Sequence, residues 1–226
     1  MVPNPIRLFH ITAIDNLESI CQSGSLVCKN QCGKPGVNYQ NIAHSGAQGA
    51  RSLTQVPNPP GGTVHDYVPF YFAPRSPMLL AIHSGRVAGC SYRQEDILHF
   101  ETTVPSVLQH SQEVVFFDLN ATLRWSTAYT DVSEIPNRVA WDLICDSPRL
   151  DGYCKYFQNR PAVDAHVDRM EKRMAEFLVK TSIPLAAMTR IGVVNAEKAA
   201  VVSAILDQYN LAVAVDILPD WYFLGQ

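Results

Sequence analysis

His65 to Leu79 reads HDYVPFYFAPRSPML, and the fold class turns on this stretch. Residues 67–73 are aromatic and β-branched, the composition that fits a pleated and largely buried surface, so they predict a strand. Pro69 has no N–H to give to a ladder, which predicts an edge or a bulge at that point. Ser76-Pro77 then opens a helix, with a cap residue followed by proline in the first turn. Met78, Leu79 and Ile82 supply its apolar face and Gly85 stops it.

Toward the N-terminus, residues 6–12 (IRLFHIT) read as a first strand, and Asp15 as the N-cap of a short helix that Gly24 ends. Residues 28–62 show no sustained period and are rich in Gly, Pro, Asn, Gln and Ser. A stretch that long without elements of its own is, inside a compact domain, disordered or functional. Toward the C-terminus, strands are predicted over 97–103, 113–118, 176–180, 190–194 and 211–217, and helices over 161–173 and 196–208. Residues 123–159 read as irregular, with short helical pieces around 139–145. Strands and helices are mixed without strict alternation, which predicts an α+β fold, and 226 residues suit one domain, 1–226.

Hydrophobic residues make up 47% of the chain and charged ones 17%, enough for a substantial core. No apolar run approaches the roughly 20 residues that span a bilayer. The first seven residues lack the basic-then-apolar pattern of a secretory leader, so a soluble cytoplasmic protein is expected. A net charge of −3 argues against coating duplex DNA through a general field, though it permits a local groove. Arg160, Arg169, Lys172 and Arg173 form a basic run that reads as the solvated face of a helix. Cys28 and Cys32 have three residues between them, with His44 downstream, but no second close pair follows; reduced thiols and no metal are expected. The phosphate loop, the dinucleotide glycine turn, H-E-x-x-H and G-x-S-x-G are all absent.

Three places could still carry chemistry. His10 and Thr12 sit two apart on a strand and so share a face, where imidazole and hydroxyl could bond a sugar or an amide; a satisfied core histidine is the ordinary alternative. Arg51 lies in the irregular region, where a guanidinium fork could clamp phosphate or simply be an exposed loop charge. Glu176 opens an apolar strand, where desolvation would matter, or where it could pair with a basic neighbour.

FHIT with IDNL (9–17), VPNPPGG (56–62), HDYVPFYFAPRSPML and KRMAEFLV (172–179), in this order, closely resemble DarT, a bacterial toxin family that ADP-ribosylates DNA. The likeness runs from the first strand to the terminal DWYF (220–223), loosely over 89–158. It implies an ADP-ribosyltransferase fold: a split, mostly antiparallel β core with flanking helices and a cleft for NAD, the co-substrate. By position it assigns Arg51 and Glu176 to catalysis, and His10, Ile11, Thr12, Asn16, Val27, Arg51 and Tyr71 to NAD. The irregular residues from about 35 to 53 correspond to the family's NAD-binding loop.

On the DNA side the resemblance points to Met78 at the cleft, and to Asn120, where family members carry Asn or His. Arg75 and Arg149, with Arg93 and Arg160, are candidates for phosphate contact; Tyr39, Tyr92, Trp125, Trp141, Tyr153, Tyr156 and Phe157 are available for base stacking, though most buried aromatics simply fill cores. The expected partners are single-stranded DNA, since a base is modified outside the stack, and a macrodomain antitoxin; no membrane is involved. The expected acceptor is thymine N3. Guanine in DNA, RNA or protein is the alternative, because the residues around Asn120 depart from the family's pattern.

Overall fold

The structure is a computed structural model and describes residues 1–32, 39–43 and 45–225. Along the first half of the chain run β1 (Arg7–Ala13), α1 (Leu17–Ser23), β2 (Ser25–Val27), α2 (Ser45–Leu53), β3 (Tyr67–Tyr71), α3 (Pro77–His83), β4 (Ile97–Thr103) and α4 (Val104–His110). The second half gives β5 (Val114–Phe117), β6 (Ala128–Tyr129), α5 (Ile135–Arg138), α6 (Trp141–Ile144), β7 (Arg149–Leu150), β8 (Tyr153–Cys154) and α7 (Arg169–Lys172). It closes with β9 (Glu176–Lys180), β10 (Ser182–Pro184), β11 (Arg190–Val193), α8 (Ala196–Gln208) and β12 (Val215–Ile217).

Eight strands form one sheet in the order β12-β11-β4-β1-β3-β9-β5-β6. Only β11 and β12 run parallel; the other pairs of this sheet are antiparallel. β1 follows β4 along its whole length, from Arg7↔Thr103 to Ala13↔Ile97, and β3 follows β9 from Tyr67↔Lys180 to Tyr71↔Glu176. Between these halves β1 and β3 share the single register pair Phe9↔Tyr71. The sheet is therefore split, and Pro69 explains how. Its carbonyl points toward β1 and accepts from His10 Nδ1 at 2.8 Å, so its missing N–H faces the gap, where no ladder bond is due. The expected edge character of Pro69 belongs to the rim of the split.

Helix starts follow the local chemistry. Ser76 caps α3 by accepting from Leu79 N, and Asn195 caps α8 by accepting from Lys198 N. Gly24, at φ 70°, provides the left-handed turn that ends α1 and leads into β2. Asp15 does not cap α1 as expected; it lies in a 3-10 turn, and the helix begins after Asn16.

Other expectations are corrected. Residues 28–62 are not wholly irregular: 45–53 form α2, which carries Arg51. Residues 35–38 of the expected NAD-binding loop, and His44 beside the cysteine pair, lie outside the described residues. Instead of one polar helix over 161–173 there is a 3-10 turn, Asp164–His166, and the single turn α7. The last strand is only Val215–Ile217. The basic run is not a solvated face, because Arg169 and Arg173 are buried. Arg169 reaches Asp146 at 3.0 Å, while Arg173 donates to the Cys154 carbonyl and stacks over Phe157. Arg160 is exposed, and Lys172 is half-exposed and paired with Asp168.

The terminal Trp221, Tyr222 and Phe223 are wholly buried. Trp221 packs edge-on against Phe9 and His99, and the Tyr222 hydroxyl donates to the Ile97 carbonyl. Gly192 of β11 lies directly beneath the Trp221 ring, so a Cβ there would fall 2.5 Å from Cε3. Gly192→Ala is accordingly expected to destabilise the chain by about 1–3 kcal/mol through overpacking. Thermal denaturation should then show a fall of several degrees; an unchanged melting temperature would show that the indole does not hold this position. No helix among the described residues is long and apolar enough to cross a membrane.

Candidate active site

The split in the sheet opens into a cavity of about 310 Å³. β1 contributes His10, Ile11 and Thr12 to its walls, the turn before α1 Asn16, β2 Val27, α2 Gln48 and Arg51, β3 Tyr71, and α3 Met78; Asn120 and Thr122 complete it. Every residue expected at the cofactor is thus at one cavity, as are Met78 and Asn120.

Glu176 does not itself line the cavity; it lies behind Arg51 and Asn120, which do and which bind it. It opens β9 between Tyr71 of β3 and Phe117 of β5, and it is fully buried. Arg51 Nη1 donates to Oε1 at 2.9 Å and lies 2.9 Å from Oε2. Asn120 Nδ2 donates to Oε1 at 2.6 Å. The Asn120 amide cannot turn freely, since its Oδ1 accepts from both Thr122 N (3.0 Å) and Thr122 Oγ1 (2.6 Å). Thr122 thereby fixes which end of Asn120 faces the carboxylate.

Burial pushes the Glu176 carboxyl up from the ordinary glutamate range, while Arg51 and a backbone bond from Ala121 act against it. Burial works to lower the Arg51 guanidinium, but the charge of Glu176, the Tyr71 phenol and the hydrogen bond to Glu176 together outweigh it and hold Arg51 above its usual value. Arg51 is therefore a fixed cation. Burial, with the Glu176 charge adding to it, keeps the Tyr71 phenol protonated.

At the opposite wall His10 donates from Nδ1 to a carbonyl, so in the neutral ring Nε2 is an acceptor. Burial lowers its pKa, which keeps the ring neutral near pH 7. His10 lines the cavity, whereas His99 is the satisfied core histidine: it is fully buried, bonded to the Pro74 carbonyl and lowered to about 3 by burial. Asn16 spends its side chain on structure. Nδ2 donates to Thr12 Oγ1 (2.9 Å) and Gln40 O (3.0 Å), and Oδ1 accepts from Gln40 N (2.6 Å). This clip leaves the Thr12 hydroxyl proton free to donate.

Three buried atoms of lining residues, Gln48 Oε1, Arg51 Nη2 and His65 Nε2, have no hydrogen-bond partner among the described residues. Buried polar atoms are nearly always paired, so these are groups that a polar ligand would satisfy. A donor at Arg51, acceptors at His10 and Gln48, and apolar walls suit a dinucleotide with phosphate, ribose and amide parts. Gln48 and Thr122 were not expected from sequence. Gln48 stands three residues before Arg51, one helical turn away, a signal that becomes readable only once α2 is recognised.

Two expected phosphate contacts are placed elsewhere. Arg75 is buried, donating to Tyr222 O and Lys155 O, so it ties the C-terminus to the body and has no free face for DNA. Arg149 is exposed on β7, bonds the Cys145 carbonyl and does not line the cavity.

Comparison with known proteins agrees with this geometry. Residues 9–223 match the family model described as "DarT: ssDNA thymidine ADP-ribosyltransferase". The chain is 36% identical to a DNA ADP-ribosyl transferase of Thermus sp. (strain 2.9), over 98% of each sequence. Thermus sp. 2.9 DarT in complex with ADP-ribosylated ssDNA superposes with a TM-score of 0.85 at 34% identity, covering 98% of both chains. The same protein in complex with NAD+ gives 0.79 at 33% identity, covering 98% of this chain and all of that one. With its split antiparallel sheet and a buried Glu176–Arg51 pair at the cleft, the chain belongs to the DarT family of DNA ADP-ribosyltransferases.

Proposed function

We propose that the chain transfers ADP-ribose from NAD to thymine N3 in single-stranded DNA, releasing nicotinamide, with residues 1–226 acting as one unit. The observation that carries this reading is the buried carboxylate–guanidinium pair, Glu176 and Arg51, in which Arg51 joins His10, Thr12 and Tyr71 in lining the cavity and Glu176 lies directly behind it. NAD supplies a glycosidic bond whose cleavage leaves positive charge on the ribose. Glu176 offers a negative charge in a dry site, where its effect on such a centre is large. His10 Nε2 and the Thr12 hydroxyl present an acceptor and a donor to the nicotinamide end. Arg51 holds Glu176 through Nη1 and keeps Nη2 for phosphate or for a carbonyl of the base.

Thymine N3 must lose a proton to form its new bond. Arg51 stays charged and cannot take it, whereas burial makes Glu176 more basic than an ordinary glutamate. The proton therefore passes to Glu176 as the bond from N3 to the ribose carbon forms. The VPNPPGG and APRSPM blocks resemble the thymine-modifying branch of the family. A macrodomain antitoxin that removes ADP-ribose is the partner proposed on the same resemblance, and the cytoplasm the proposed compartment.

Mass spectrometry of an oligonucleotide panel incubated with NAD tests this reading. One ADP-ribose is expected on strands containing thymine and none on strands lacking it. Labelling of guanine, RNA or protein instead would overturn the assigned acceptor.

Asn120 provides a further test. Its bond at 2.6 Å favours the ionised form of Glu176. Asn120→Ala is expected to slow transfer by about 10- to 100-fold and to move the acid limb of kcat/KM to higher pH. A slower enzyme with an unmoved acid limb would show that Asn120 serves the DNA alone.

A further inference from the structure

The connection from β5 to β6 brings an exposed indole close to this site. Phe117 is the register partner of Glu176, and the connection leaves the sheet one residue later. It is firmly tied. Asp118 Oδ1 accepts from Thr127 N at 2.8 Å, Asp118 N donates to Thr127 O, Leu123 N donates to Asn120 O, and Ser126 N donates to Leu123 O. Asn120 is held to Glu176, and Thr122 lines the cavity. On this anchored frame Trp125 is 66% exposed, with Arg124 exposed beside it. The other two tryptophans, Trp141 and Trp221, are buried. Among the described residues Trp125 has no ring stacked on it and no cation over it.

A large apolar ring held in water on an ordered loop is costly in solvation, yet it suits one kind of partner. An unpaired nucleobase presents a flat π-face of matching size, and stacking on it does not depend on which base it is. Arg124 adds a cation for the adjoining phosphate. We propose that Trp125 is a stacking platform for a base of the single strand that neighbours the modified thymine, with Arg124 holding the backbone beside it. This rests on the reading of the chain as a single-strand DNA enzyme. It explains how a chain with a net charge of −3 holds its substrate: the grip is aromatic and local, so few cations are needed.

Trp125 also makes its own reporter. Adding oligothymidylate without NAD to the full chain should quench the accessible tryptophan emission and shield it from acrylamide, because Trp141 and Trp221 are already buried. Trp125→Ala should remove the quench and raise the oligothymidylate Kd by about 5- to 100-fold, and Trp125→Phe should restore much of the binding. NAD affinity should stay at the wild-type value in both variants. If Trp125→Ala binds and modifies oligothymidylate as the wild type does, the platform is refuted while the DNA-modifying reading stands. If the wild type neither binds nor modifies oligothymidylate, both fall together.

Discussion

Replacing Glu176 by glutamine is expected to cut ADP-ribose transfer by about a thousandfold while the chain stays folded. The side chain keeps its size, so the packing between Tyr71 and Phe117 survives. The charge is what disappears. A neutral amide cannot balance positive charge on a ribose, and it cannot take a proton from N3. Removing one charge of a buried ion pair costs about 3–5 kcal/mol where the other is left uncompensated, but relief is at hand here. Arg51 keeps one oxygen acceptor, and its side chain is 13% exposed, so it can turn toward water. We expect a loss of roughly 1–3 kcal/mol in stability, visible as a lower melting temperature without loss of cooperativity. Rates measured on the folded variant with labelled NAD and oligothymidylate give the result. Turnover within tenfold of wild type would remove the carboxylate from the centre of the chemistry.

The sequence disclosed this carboxylate but not what surrounds it. Glu176 could be read because it opens an apolar strand, and β9, β4 and α8 all have the bounds that their patterns predicted. Those elements are written in local periodicity. α2 is not: Ser45–Leu53 reads SGAQGARSL, with two glycines and a short apolar face, and intrinsic propensity argues against a helix there. What supports it is tertiary, since Arg51 is tied to a residue 125 positions away. The contact of Asn120 with Glu176 spans 56 positions and left no mark on either neighbourhood. Arg75, Arg169 and Arg173 misled for the opposite reason. Arginine is usually a surface residue, and only the folded chain shows carbonyls, Asp146 and Phe157 enclosing these three. The family resemblance supplied Arg51 and Glu176 by position; the physical pattern alone would have left Arg51 as a loop charge.

Arg51 is best tested with two substitutions, because charge and shape can be separated. Arg51→Lys retains a cation beside Glu176, so the carboxylate should stay ionised over the same pH range as in the wild type. It loses the planar fork, and with it the simultaneous reach of Nη1 to Glu176 and Nη2 into the cavity. Transfer should fall by about 100-fold or more, with the acid limb of kcat/KM unmoved. Arg51→Ala removes the charge as well. Burial then acts on Glu176 with the Ala121 and Asn120 bonds left to oppose it, its pKa rises further, and the acid limb should shift to higher pH on top of a loss of about a thousandfold. The pairing matters because each alternative predicts a different profile. If Arg51 were itself the proton acceptor, lysine, with its lower intrinsic pKa, should be the better base and would raise the rate at alkaline pH. If Arg51 were only a counter-ion, lysine would restore nearly full activity. A fork that bridges a buried carboxylate and a ligand requires both variants to fail, and only the alanine to move the pH limb.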